Sequence, residues 1–132
     1  MNRRFFLSGT AVTLCVPAVL HAEQFINYAP GTIDAALAQG KTVLIDYSAS
    51  WCSTCKRQER VMNALRAADP VYDEKLTFIK VDWDTYKDHE VTVFRNIPRR
   101  STLILLRGDA ELGRVVAQTS ESQIKALLDA GL

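Results

Sequence analysis

The sequence predicts an α/β fold, a central mixed β-sheet flanked by helices on both faces. Three observations point there. The stretch Thr42 to Ala49 is nearly all apolar and rich in β-formers, as suits a central strand covered on both sides. Strand-like and helix-like segments then alternate, which calls for parallel pairing through helical crossovers. Finally, two strand-like segments near the C-terminus are joined by a short loop and must pair antiparallel.

The elements follow in order. Thr32 to Gln39 is a short helix whose Ile33, Ala36 and Leu37 share a face, ended by Gly40. The strand from Thr42 comes next, then a helix from about Ser53 to Ala68. Val61, Leu65 and Ala68 lie on one side of it, with Lys56, Arg57, Arg60 and Arg66 mostly on its solvated side. Asp69-Pro70 ends it, because proline disfavours helical geometry in the residue before it. Leu76 to Asp82 is the second strand. Thr85 is placed to cap a further helix running to about Phe94. Thr102 to Arg107 and Arg114 to Thr119 form the hairpin, with Gly108-Asp109 and Gly113 in its loop. Ser120 caps the last helix with Gln123 as its capping-box partner, and Ile124, Leu127 and Leu128 make its buried stripe.

Composition bounds the function classes. The chain has 132 residues, 48% of them hydrophobic and 23% charged, which suits one globular domain and excludes a disordered or low-complexity chain. Sixteen basic residues nearly balance 15 acidic ones. That balance offers no basic excess for nucleic acid, and the short chain points to a monomer. Residues 1–22 read as a signal peptide: Arg3-Arg4, an apolar stretch from Phe5 to Leu20, then His21-Ala22. The stretch is shorter than the roughly 20 residues of a membrane span and contains Pro17. Arg3-Arg4-Phe5-Phe6-Leu7 resembles a twin-arginine export signal, and a general secretory signal fits as well. An uncleaved anchor is the competing reading. Cleavage near Ala22 would remove Cys15 and leave a domain of residues 23–132 in the periplasm, with two of the chain's three cysteines.

Those two, Cys52 and Cys55, sit in Trp51-Cys52-Ser53-Thr54-Cys55-Lys56, between the first long strand and the helix after it. A thiol attacks a disulfide as its thiolate. A helix N-terminus favours negative charge, so Cys52 is expected to ionise readily. One turn on, Cys55 can close a bridge with it. On this reading Cys52 is the nucleophile and Cys55 the resolving thiol. A static staple would gain little from so tight a loop. A metal site would lack a second cysteine pair, and His89 is the only histidine after the signal. Asp46, amid Val43, Leu44, Ile45 and Tyr47, is expensive to bury, and its raised pKa would fit it to exchange a proton with Cys55. Lys80 is a second polar residue in an apolar strand, on the face of Leu76 and Phe78.

Residues Asp46 to Lys56 resemble the active-site pattern of the thioredoxin family, and the likeness extends through Leu76–Asp82 to the closing hairpin and helix. The resemblance implies a thioredoxin fold and thiol–disulfide exchange with no cofactor beyond a redox-active Cys52–Cys55 disulfide. It gives Asp46 the proton-transfer role and makes Lys80 the lysine that modulates it. With the export signal, the chain looks most like periplasmic reductases that receive electrons from a membrane thiol carrier of the DsbD or CcdA type and act on disulfide-containing proteins. Trp51 is expected to pack beside the cysteines and border the substrate site. The family sets a cis-proline opposite the cysteines, but this chain reads Ile97-Pro98-Arg99-Arg100-Ser101-Thr102-Leu103. Either Pro98 is that residue on a longer loop, or Ser101 takes its place, where a cis bond would cost about 2.5–4 kcal/mol. Arg99 and Arg100 would flank the groove. Ser53-Thr54 between the cysteines holds neither the His nor the Pro of some oxidants, which favours a reductase over an oxidase or isomerase. A binding module holding copper or zinc through the two cysteines is the alternative from another class.

Overall fold

The computed structural model describes residues 12–14 and 25–132. The proposed signal peptide, including Arg3, Arg4, Cys15 and the cleavage point at Ala22, therefore lies almost entirely outside the described residues. Among the described residues no helix is long and apolar enough to cross a membrane.

In chain order the elements are β1 (Ile26–Asn27), α1 (Thr32–Ala38), β2 (Thr42–Ser48), α2 (Ser53–Ala68), α3 (Val71–Lys75), β3 (Leu76–Asp82), α4 (Trp83–Tyr86), α5 (Glu90–Val93), β4 (Thr102–Arg107), β5 (Ala110–Val116) and α6 (Glu121–Asp129). The sheet runs β1-β3-β2-β4-β5. β3 pairs parallel with β1 and β2, whereas β4 pairs antiparallel with β2 and β5. The expected mixed sheet is therefore present, with β2 at its centre and every residue of β2 buried.

Side-chain alternation along β2 sorts the core into two layers. Leu44 faces Met62 and Leu65 of α2 and Ile124, Leu127 and Leu128 of α6. Val43, Ile45 and Tyr47 face the opposite layer, with Ile33 and Ala36 of α1 and Val91 of α5. Asp46 shares its parity with Leu44, so its side chain belongs to the α2 layer.

Several boundaries differ from expectation. The edge strand β1 and the one-turn helix α3 carry no sequence pattern, being two and five residues long. The helix expected to start at Thr85 is two short helices. Asp82 caps the first by accepting from the Thr85 N–H, and His89 Nδ1 caps the second. β5 begins four residues early. Gly108, at φ +56°, turns the chain in two residues, and Gly113 lies within the strand instead of the loop. A Cβ at Gly113 would stand 2.8 Å from Leu127 Cδ1, so the close approach of α6 explains that glycine. On α2, Arg66 is buried and Ala68 exposed, the reverse of the amphipathic reading. Arg66 stacks on Phe78, 4.1 Å from its ring centroid, and pairs with Asp73 at 2.6 Å.

Candidate functional site

The end of β2 and the start of α2 place the two cysteines. Cys52 is the N-cap of a 16-residue helix, and Cys55 lies in its first turn. The two form a disulfide with Cα atoms 5.3 Å apart. The Cys55 N–H points at Cys52 Sγ from 3.2 Å, so an unpaired donor of the helix end already addresses the sulfur. Both cysteines are buried, packed with Ala49 and Trp83.

Asp46 is fully buried, and neither carboxylate oxygen has a hydrogen-bond partner. Loss of water pushes its pKa up to about 7; the Lys80 charge opposes that rise and the Glu59 charge adds to it. A strand-end carboxylate meeting solvent is thereby excluded. Lys80 sits opposite Asp46 in the β2–β3 register. Its ammonium, however, reaches Glu59 of α2 at 2.8 Å and lies over the Phe25 ring. Lys80 thus acts on Asp46 through space while its contact ion pair goes to Glu59. Asn27, Lys56, Glu59 and Lys80 help line a cavity of about 460 Å³ beside this network.

Trp51 does not pack among the cysteines. It is 57% exposed, its indole N–H donates to Asp84 at 2.9 Å, and the Arg100 guanidinium lies 4.4 Å from its ring. The half-buried Trp83, which carries no motif signal, packs beside the cysteines in its place. The exposed Trp51, with the half-buried Arg100 against its ring, instead forms a rim.

The position opposite the cysteines belongs to Ser101. Its Oγ lies 3.2 Å from Cys52 Sγ and 3.1 Å from Cys55 Sγ. Pro98 is exposed in the preceding loop, and no peptide bond among the described residues is cis. Ser101 adopts φ +62°, a left-handed conformation uncommon for a residue with a side chain. Its N–H donates to the Tyr47 carbonyl, and its own carbonyl accepts from the Ala117 N–H. Gln58 completes the clamp. Fully buried in α2, it donates from Nε2 to the carbonyls of Ser101 and Gln118. Sequence reading missed Gln58 and Glu59. Their one available signal was position: a polar residue three or four places after Cys55, one helical turn on from it.

The arrangement holds a dithiol–disulfide pair at a helix N-terminus, a buried carboxyl that titrates near neutrality, and an exposed aromatic rim. No group of three or more His, Cys, Asp or Glu side chains able to hold a metal comes together among the described residues.

Comparison with known proteins agrees with this geometry. The sequence profile of the thioredoxin family matches residues 24–130. A putative thioredoxin-4 from Dictyostelium discoideum is 31% identical over 93 residues, 70% of this chain and 83% of that one. The thiol:disulfide interchange protein DsbD of Pseudomonas fluorescens is 29% identical over 99 residues, and the match spans 74% of this chain but 17% of that protein. Among solved structures, Trxlp from Edwardsiella tarda is 37% identical with a TM-score of 0.67, covering 79% of this chain and 98% of that one.

Proposed function

The chain belongs to the thioredoxin family, and on that premise we propose that this thiol–disulfide oxidoreductase works in the periplasm as a reductase of protein disulfides. The observation that carries the reading is the Cys52–Cys55 pair at the head of α2, joined in the same chain to a buried, unpaired carboxyl at Asp46.

The reduced enzyme starts with Cys52 as thiolate and Cys55 as thiol. The Cys52 thiolate attacks one sulfur of a substrate disulfide, forms a mixed disulfide and expels the other sulfur as a thiolate. Asp46 then takes the Cys55 proton. Its raised pKa lets it hold that proton near neutral pH, where an ordinary carboxylate could not. The Cys55 thiolate attacks Cys52 Sγ, closes the bridge and releases the second substrate thiolate. The substrate gains two electrons and the enzyme loses two. Re-reduction falls to a dithiol partner, for which a membrane carrier of the DsbD or CcdA type fits an exported chain. The partial likeness to DsbD supports that assignment. Trp51 and Ser101 border the groove in which the substrate strand would lie, and the exposed Pro98 stands further along the same loop.

Export rests on Arg3-Arg4 and the apolar stretch that follows. The reducing direction rests on the Ser53-Thr54 pair, which adds no charged or heterocyclic support to the thiolate. Equilibration with glutathione buffers tests the direction. A potential near thioredoxin's, about −270 mV, is expected; one near that of DsbA, about −120 mV, would reverse the assignment to an oxidase.

A further inference from the structure

We propose that the Ser101 hydroxyl is a positioning group for the reduced enzyme: it donates a hydrogen bond to the Cys52 thiolate while accepting one from the Cys55 thiol. The inference rests on the dithiol chemistry above and assigns a job to the residue facing both sulfurs.

The argument starts from donor counting. In the bridged form neither sulfur carries a hydrogen, so the hydroxyl must be the donor at both contacts, 3.2 Å to Cys52 and 3.1 Å to Cys55. It has one proton and can serve one sulfur at a time. Disulfide sulfurs are weak acceptors, so little is gained in this state. Reduction changes both partners. A thiol reductant supplies two electrons and one proton, becoming oxidised itself; the S–S bond breaks, Cys52 leaves as thiolate and Cys55 as thiol. The hydroxyl now meets an anionic acceptor on one side and an S–H donor on the other. Its proton and a lone pair are both used, in the chain Cys55 S–H to Ser101 O–H to Cys52 thiolate. Hydrogen bonds to ionised groups are about twice as strong as neutral ones. The hydroxyl therefore stabilises the reduced form more than the oxidised form.

The backbone shows that this placement is held rather than accidental. Ser101 is fully buried and sits at φ +62°, which costs about 1–3 kcal/mol for a residue with a side chain. Three hydrogen bonds keep it there: its N–H to Tyr47 O, and its carbonyl to the Ala117 N–H and Gln58 Nε2. With the main-chain groups occupied internally, the hydroxyl is the group this residue presents to the sulfurs.

The test compares wild type with Ser101→Ala and Ser101→Gly in the full chain. Alanine removes the hydroxyl and keeps the backbone strain. Glycine removes it and relieves the strain, so it should fold even where alanine does not. Each protein is reduced and its Cys52 alkylation by iodoacetamide is followed against pH. Both variants should raise the midpoint by about one unit, a tenfold loss of thiolate. In glutathione buffers both should shift about tenfold toward the disulfide, near 30 mV more reducing. A role in folding alone would move stability and leave the alkylation midpoint in place. A Ser101→Gly enzyme with the wild-type midpoint overturns the inference while a wild type that reduces insulin leaves the underlying function standing. A wild type with no turnover overturns both.

Discussion

Replacing Asp46 by Asn should stabilise the protein, and only where the carboxyl would otherwise ionise. The side chain is fully buried with no hydrogen-bond partner, and burial lifts its pKa from 3.8 to about 7. Between those values the unfolded chain gives up the proton and the folded chain keeps it. The folded state thus binds more protons, so wild-type stability falls as pH rises from about 4 to about 7 and then levels off. A difference of about three units at 1.36 kcal/mol each is worth about 4 kcal/mol. Solvent screening does not discount it, because the group is out of water. Asn has nearly the same shape and cannot ionise. Guanidinium unfolding of the oxidised proteins should therefore give stabilities within about 1 kcal/mol of each other at pH 4, and a variant more stable by about 4 kcal/mol at pH 8. Turnover should move the opposite way, slowing about a hundredfold near neutral pH as the resolving step loses its base. Parallel stability curves from pH 4 to 8 would refute the reasoning, since they would mean that the carboxylate is hydrated or paired.

Two neighbours should tune that titration in opposite directions. Lys80→Met removes the charge that holds Asp46 down and should shift the pH midpoint of turnover upward; Glu59→Gln should shift it downward, read from initial rates of disulfide reduction across pH. Gln58→Ala should cost about 1–3 kcal/mol in chemical denaturation, because the buried Ser101 carbonyl loses one of its two donors and the Gln118 carbonyl loses its side-chain donor.

The parts of the fold legible in the sequence are those with long, consistent patterns. β3 occupies the predicted residues Leu76–Asp82, and α2 spans Ser53–Ala68 as its flanking signals require, with the cysteine motif at one end and Asp69-Pro70 at the other. Ser120 and Gln123 mark the start of α6 in both readings. The losses have physical causes. β1 and α3 are too short to show a period, and a cap at His89 splits the single helix expected to start at Thr85. Gly113 reads as a turn residue until the approach of Leu127 is seen. The burial of Arg66 depends on Phe78 and Asp73, which the sequence places on other elements.

The site divides along the same line. A cysteine pair before a helix and a carboxylate inside an apolar strand are local anomalies, visible without coordinates. What surrounds them is set by tertiary contacts. The resemblance makes Lys80 the modulator of Asp46, and α2 brings Glu59 to its ammonium as well. Trp51 lies within the motif and Trp83 far from it in sequence, and only the packing of α4 shows that Trp83 is the one against the cysteines. The choice between Pro98 and Ser101 depended on loop length and was resolved by two contacts to sulfur.

Insulin reduction in the presence of dithiothreitol, followed by turbidity, tests the dithiol cycle most directly. Wild type should shorten the lag before precipitation, and Cys52→Ser should leave it at the uncatalysed rate. Equal lags for the two proteins would contradict a cycling bridge between Cys52 and Cys55.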